Sequence, residues 1–308
     1  MSNIRKRVQI LGLANDLGYP GTGVAAGPDY LLENGCIDRL VQIVHDSEWK
    51  GILRAPKIGY NEHQQFNYFN RALVLDTYES FRYSSKVWAI GGDHSSAFAF
   101  WTSVYNGMNS YRDAESLLPL GMIWFDAHMD AHTHATTRSG NLHGMPLAFL
   151  LGEGLGNNKI SIPGFRKGPA LQADKVCLMG VRSYEREEKD LLDRLGVKYF
   201  TDADILADPE KCFEEAKAIV TNDTGGIGIT IDLDVLDPSI IDSVNTPAEG
   251  GLPPSMVKSM VADFHKEQKV FAVEIAEFNP DIGAPEDAAN FIYELLIESD
   301  IVDIQGRF

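Results

Sequence analysis

Four apolar runs in this chain each close on a polar cluster, and that recurrence limits the folds open to it. Ile90-Gly91-Gly92-Asp93-His94, Trp124-Phe125-Asp126, Thr230-Ile231-Asp232 and Ile275-Ala276-Glu277 share the pattern. Two clusters go on to alternate ionisable and apolar residues, as Asp126-Ala127-His128-Met129-Asp130 and Asp232-Leu233-Asp234. Along an extended backbone, positions two apart lie on one face. His94, Asp126, His128, Asp130, Asp232 and Asp234 are thereby offered together at strand ends. Carboxylates converging in that number repel one another unless cations stand between them. The donor set is too large for one ion and suits two.

Between those runs the chain alternates short β-branched stretches with longer helical ones. Strands are expected at Val8–Leu13, Val87–Ile90, Leu120–Phe125, Lys175–Met179, Ile227–Ile231 and Val270–Ile275. Helical spacing covers Tyr30–Val44, Phe66–Tyr83, Ser95–Tyr105, Gly144–Leu151, Glu187–Leu195, Pro209–Thr221, Pro254–Lys266 and Pro285–Ile297. Repeated βα units predict a mostly parallel sheet with helices on both faces, read as one domain over residues 1–308. Ligands of open α/β sheets bind outside the carboxyl ends of the strands, so all four clusters fall on one edge. The loops Thr133–Asn141 and Asp237–Pro253 exceed ordinary βα connections, a length usually tied to function.

Composition narrows the function. With 44% hydrophobic and 23% charged residues, the chain is globular in type. A formal charge of -17 argues against nucleic acid or an anionic membrane as partner, and suits a cationic small molecule. Cys36, Cys177 and Cys212 follow no metal or redox spacing, which predicts free thiols in a reducing compartment. No signal-peptide core follows the basic start and no apolar stretch reaches spanning length, so the expected location is cytoplasmic.

A capping role explains a single Asp at a helix start, but not a His-flanked triple, a double and a further His. Mixed oxygen and nitrogen donors with several carboxylates suit Mn²⁺, with Zn²⁺, Co²⁺ and Ni²⁺ as alternatives. Two such ions stand roughly 3.5–4 Å apart and acidify a bridging water enough to supply hydroxide at neutral pH. Asp93 reads as support for His94. His143 follows a long loop near the triple, as a surface residue or as a proton shuttle. Glu274 and Glu277, three apart, face opposite ways in an extended strand: one a buried charge, the other a solvated rim residue. Glu277, at the extreme strand end, is the better placed to meet a cation. Gly21-Thr22-Gly23 lacks the Lys-Ser/Thr of a phosphate loop. His45, His63 and His265 default to surface or core roles.

These motifs make the chain resemble the ureohydrolase family, the dinuclear-manganese enzymes that include arginase and agmatinase. Gly91-Gly92-Asp93-His94-Ser95, Phe125-Asp126-Ala127-His128-Met129-Asp130 and Ile231-Asp232-Leu233-Asp234-Val235-Leu236-Asp237-Pro238 look like its three motifs, in order. The resemblance implies a three-layer α/β/α domain of the arginase/deacetylase kind, two divalent ions and a homotrimer or homohexamer. It implies the six donors as metal ligands, Glu277 as the guanidinium-binding carboxylate, His143 as the proton shuttle and Thr246 as a substrate-side residue. Thr136-Thr137-Arg138-Ser139-Gly140-Asn141-Leu142-His143-Gly144 resembles the arginase segment whose Ser and Asn bind the substrate α-carboxylate.

Three departures stand at the substrate end. His132 replaces an Asn that helps hold the carboxylate, Glu185 replaces an Asp that reads the α-amine, and Ser243-Val244-Asn245-Thr246-Pro247 replaces a Thr-Gly-Thr-Pro run. The expected reaction is hydrolysis of L-arginine to L-ornithine and urea. Agmatine, guanidinobutyrate and formiminoglutamate are alternative substrates, and a catalytically silent metal-binding module is the alternative of another class.

Overall fold

The computed structural model describes residues 6–21, 23–44, 46–56, 61–154, 162, 169–266 and 270–305; Thr22 and His45 lie outside the described residues. Its strands are β1 (Lys6–Ala14), β2 (Ser47–Arg54), β3 (Ser84–Ile90), β4 (Leu120–Phe125), β5 (Val176–Val181), β6 (Lys198–Thr201), β7 (Gly226–Asp232) and β8 (Val270–Ala276). They form one sheet in the order β2-β1-β3-β8-β7-β4-β5-β6, and every pairing is parallel. The helices are α1 (Gly27–Glu33), α2 (Cys36–Ile43), α3 (Glu62–Tyr83), α4 (Ala97–Met108), α5 (Pro146–Leu150), α6 (Arg186–Leu195), α7 (Asp202–Ala207), α8 (Pro209–Thr221), α9 (Pro254–Lys266) and α10 (Pro285–Gln305).

Alternation along the strands makes two cores. In β4, Ile123 and Phe125 face one side, while Leu120, Met122 and Trp124 face the other. The first core is closed by α1, α2, α7, α8, α9 and α10 and the second by α3, α4, α5 and α6. This is the three-layer α/β/α arrangement that the βα alternation predicts. Sheet strands buried on both faces read as near-continuous apolar runs, which is why the six central ones are visible in the sequence.

The two strands not anticipated, β2 and β6, are the sheet's edges. Each is only partly buried, so neither presents a continuous apolar run. The single helix expected over Tyr30–Val44 is two, because Gly35 sits at φ 70° and breaks it. The short helix α7 was also not anticipated; Thr201 caps it by accepting from the Asp204 N–H.

One consequence of strand order matters most for the site. β3, β8, β7 and β4 are consecutive neighbours, and these are the strands that end in the four polar clusters. Adjacent strands lie about 4.8 Å apart, so side chains from non-adjacent parts of the sequence converge above the middle of the sheet.

Candidate metal centre

At the end of β3, Gly91 (φ 90°) and Gly92 (φ 81°) turn the chain sharply back over the sheet. A Cβ on Gly92 would lie 2.9 Å from the Leu13 carbonyl oxygen, and one on Gly91 2.6 Å from the Pro28 ring, so both turns need glycine. The turn carries His94 inward, where its ring stacks on Trp124 with centroids 4.7 Å apart. Trp124 also donates from Nε1 to Asp126 Oδ2 at 2.9 Å. Standing two residues before Asp126, it was discoverable by alternation, yet it reads in the sequence as one more core residue.

His94 Nδ1 lies 3.0 Å from Asp130 Oδ2 and 3.3 Å from both Asp126 Oδ2 and Asp232 Oδ2. His128 Nδ1 lies 2.9 Å from Asp234 Oδ2 and 3.6 Å from Asp126 Oδ1. Asp126 thus stands between two imidazole–carboxylate groups, with one oxygen toward each. Both His94–Asp126–Asp130 and Asp126–His128–Asp234 have donor atoms close enough to hold a metal ion. All six predicted donors are brought together; five are buried and His128 is partly exposed.

Two observations favour cations at this position. His94 Nδ1 and Asp130 Oδ2 are buried, face each other and have no hydrogen-bond partner among the described residues, a costly arrangement for polar atoms unless something else satisfies them. Electrostatics points the same way. Burial raises the Asp232 carboxyl well above its ordinary value, with Asp234 and Asp126 adding to it. Burial also raises Asp130, to about 6, reinforced by the charge of Asp126. Burial opposes charge on His94 and His128, but the surrounding carboxylates outweigh it and raise both imidazoles well above their ordinary range. The pocket carries more negative charge than it can hold, and it draws positive charge in.

Backbone strain is concentrated here too. Asp130 has φ 50° and Glu277 φ 65°, left-handed conformations uncommon outside glycine and found where surrounding structure enforces them. Glu277 is completely buried, as is Glu274, so neither is the solvated rim residue that their spacing allowed. Glu277 leaves the strand at its left-handed turn and accepts from the His94 backbone N–H at 2.9 Å. The same Oε1 lies 3.2 Å from His143 Nδ1, whereas Oε2 is buried with no hydrogen-bond partner among the described residues. His143 is held by its own N–H to the Gly18 carbonyl at 3.1 Å and by the Tyr19 ring. It is a partly buried member of the site rather than surface decoration.

Asp93 does not touch the His94 ring. It accepts from Asn15 Nδ2 and from the backbone and hydroxyl of Ser95, and takes the Gly18 N–H at 2.6 Å. Its support is therefore to its own turn, which carries His94, and to the Gly18 segment, whose carbonyl in turn takes the His143 N–H.

Above the donors lies a cavity of about 230 Å³, lined in part by His132, Ser139, Asn141, His143, Glu185 and Thr246. Thr246 donates to Asp234 Oδ2 at 3.2 Å. Ser139 Oγ accepts from the Asn141 N–H at 3.2 Å in the exposed lip, beside Arg138. His132 Nε2 sits 3.0 Å from Glu185 Oε2, and 3.6 Å from Oε2 of the buried Glu188. Glu185-x-x-Glu188 is a capping-box spacing, and Glu188 closes that box by accepting from the Glu185 N–H, a helix-start signal that hides its place beside His132. Arg182 follows β5 directly. Its guanidinium donates to the carbonyls of Gly180, Asp234, Val235, Leu236, Ala248 and Glu249, pinning the turn that bears Asp234. Partners that are backbone carbonyls leave no trace in a sequence.

Of the other histidines, His63 is exposed, and His265 is buried with Nδ1 2.9 Å from the Val261 carbonyl oxygen. Cys36, Cys177 and Cys212 are free and buried.

A parallel sheet with imidazole and carboxylate clusters at its carboxyl edge, under a cavity, has the form of a metallohydrolase. Comparison with known proteins gives the family. The chain belongs to the arginase family, whose model matches residues 6–299. It is 32% identical to the arginase of Bacillus caldovelox over 290 residues, which cover 89% of this chain and 91% of that one. Arginase-1 of Oryctolagus cuniculus is 30% identical over 311 residues, 95% of this chain and 91% of the relative. The crystal structure of the Bacillus cereus arginase superposes with a TM-score of 0.83 at 27% identity, over 95% of this chain and 98% of that one. The chain is thus a hydrolase of that family.

Proposed function

We propose that this chain is one catalytic domain that hydrolyses L-arginine to L-ornithine and urea, using two Mn²⁺ ions. His94, Asp126, Asp130 and Asp232 would hold one ion, and His128, Asp126, Asp232 and Asp234 the other. The observation that carries the reading is Asp126, whose two oxygens are turned toward two separate imidazoles. When bound, such ions supply Lewis acidity and make water nucleophilic near neutral pH.

The rest is work for the chain's own side chains. A guanidinium keeps its charge at any working pH, and it needs a buried anion to bring it in and orient it. Glu277 Oε2 is placed for that role, fully buried and with no hydrogen-bond partner among the described residues. A planar guanidinium N–H donor suits a carboxylate acceptor in direction as well as charge. Loss of the amine requires a proton. Burial disfavours the charged form of His143, but its hydrogen bond to Glu277 and nearby carboxylates outweigh that and raise it to about 9. His143 therefore carries a proton at neutral pH and can deliver it to the departing nitrogen. Ser139, Asn141 and Arg138, at the lip, offer donors to a carboxylate at the far end of the substrate. Agmatine has no carboxylate to use them.

One observation favours a second reading. His132 already occupies Glu185, the carboxylate that an α-ammonium would need. A guanidino acid without that ammonium, such as 4-guanidinobutyrate, would leave the pair undisturbed. Urea release after Mn²⁺ loading, measured on arginine, agmatine, 4-guanidinobutyrate and formiminoglutamate, separates these readings; no turnover of any of them would leave only a metal-binding module. The proposal extends to a homotrimer or homohexamer, tested by light scattering, and to a cytoplasmic location. Buried free thiols support the latter, and no described helix is long and apolar enough to cross a membrane.

A further inference from the structure

We infer that Thr230 and Glu274 are positioning residues that decide which ring nitrogen of His94 is free to bind a cation. The inference rests on His94 being a ligand, as proposed above. His94 Nε2 lies 2.9 Å from Thr230 Oγ1, and Thr230 Oγ1 lies 3.0 Å from Glu274 Oε2. That same Oε2 receives the Trp101 Nε1–H at 2.6 Å, and Ser96 Oγ lies 2.9 Å from Glu274 Oε1. All five residues are buried, so no bulk water competes for these groups.

Counting protons gives the chain a direction. Indole Nε1 can only donate and an ionised carboxylate can only accept, while a threonine hydroxyl has one proton to give. Thr230 gives its proton to Glu274, and toward His94 it can then only accept. His94 must carry its own proton on Nε2, which makes Nδ1 the nitrogen that can give up its proton and turn a lone pair to a bound cation. Nδ1 is the nitrogen that faces Asp126, Asp130 and Asp232. The reverse order needs a proton on Glu274 Oε2 itself; a proton on Oε1, facing Ser96, would leave the direction unchanged. A metal-binding imidazole is commonly oriented through its other nitrogen by a carboxylate or carbonyl; here a hydroxyl passes the carboxylate's influence on. Register supplies the geometry, since Thr230 on β7 pairs directly with Glu274 on β8.

The test compares Thr230→Val, equal in shape but without the hydroxyl, with Thr230→Ser, in calorimetric titrations of the metal-free chain with Mn²⁺. Wild type and T230S are expected to bind two equivalents alike. T230V should lose about 10–100-fold in affinity at one site and keep the other. Glu274→Gln should behave as wild type, since its amide oxygen can still take Thr230 and Trp101, while Glu274→Met should follow T230V. A folded T230V with both affinities unchanged overturns the inference. Nitrogen-15 spectra of the wild-type chain loaded with Cd²⁺ give an independent readout, which stands even if T230V fails to fold. His94 should show a slowly exchanging Nε2–H and a coordinated Nδ1, and the opposite assignment overturns the inference. Wild type binding fewer than two equivalents would instead sink the ligand reading itself, and this inference with it.

Discussion

Oε1 of Glu277 is shared: it takes the backbone N–H of His94 and lies 3.2 Å from Nδ1 of His143. One oxygen thereby fixes the loop that bears a proposed metal ligand and the imidazole that is to protonate the leaving amine. The other oxygen is the one proposed to take the substrate guanidinium. Replacing His143 by Ala should lower kcat by about 10²–10⁴-fold, the usual contribution of general acid catalysis, and leave metal content unchanged. An unaltered kcat would remove His143 from the mechanism.

The pH dependence follows from the same pair. His143 is raised to about 9, so its acid form persists through neutral pH and is lost as pH rises through that value. The kcat/KM profile, which reports the free enzyme, should fall on its alkaline side near pH 9. In the His143→Ala variant that limb should vanish; its persistence would assign it to another group.

Glu188, in the wall of the cavity, predicts a stability effect. Burial, aided by the neighbouring Glu185 carboxylate, raises it from an ordinary 4.5 to about 8. A carboxyl whose folded value is raised contributes stability fully present below about pH 4.5 and lost as pH climbs through about 8. Urea denaturation of metal-free wild type and Glu188→Gln should show the wild-type advantage shrinking over that interval. A difference independent of pH would mean that Glu188 is not protonated in the folded chain.

The rim makes a prediction about selectivity. With His132 replaced by Asn, Glu185 loses its imidazole partner and becomes available to an α-ammonium. Hydrogen bonds to charged groups contribute about 1.5–3 kcal/mol, so kcat/KM for arginine relative to 4-guanidinobutyrate should rise roughly tenfold or more. An unchanged ratio would show that the His132–Glu185 pair does not govern the choice.

How much of this was legible in the sequence depended on whether a residue's role lies in its own strand. Asp126, His128, Asp130, Asp232 and Asp234 announce themselves by alternation, and the strand ends place them on one edge. Which carboxylate stands between the imidazoles depends on strand order, and the adjacency of β3, β8, β7 and β4 is written in no single segment. Glu274 and Glu277 are both buried because the extended geometry of β8 ends before Glu277, which turns left-handed. Arg182 acts through carbonyls such as those of Asp234 and Glu249, 52 and 67 residues away, and Thr230 through Glu274 and His94, 44 and 136 residues away; only the folded chain shows them.

The proposed ligands carry their own prediction. Asp234→Ala should remove one ion and abolish turnover, while Asp126→Ala should weaken both sites, because its two oxygens serve both imidazoles. Elemental analysis beside the urea assay checks each variant. Full activity in a variant without bound metal would refute the scheme.

The most direct measurement is the metal content of the purified wild-type chain after reconstitution with Mn²⁺ and removal of the excess. The account predicts two equivalents per chain, with urea production rising as the second site fills. One equivalent or none, with arginine hydrolysis unimpaired, would contradict it.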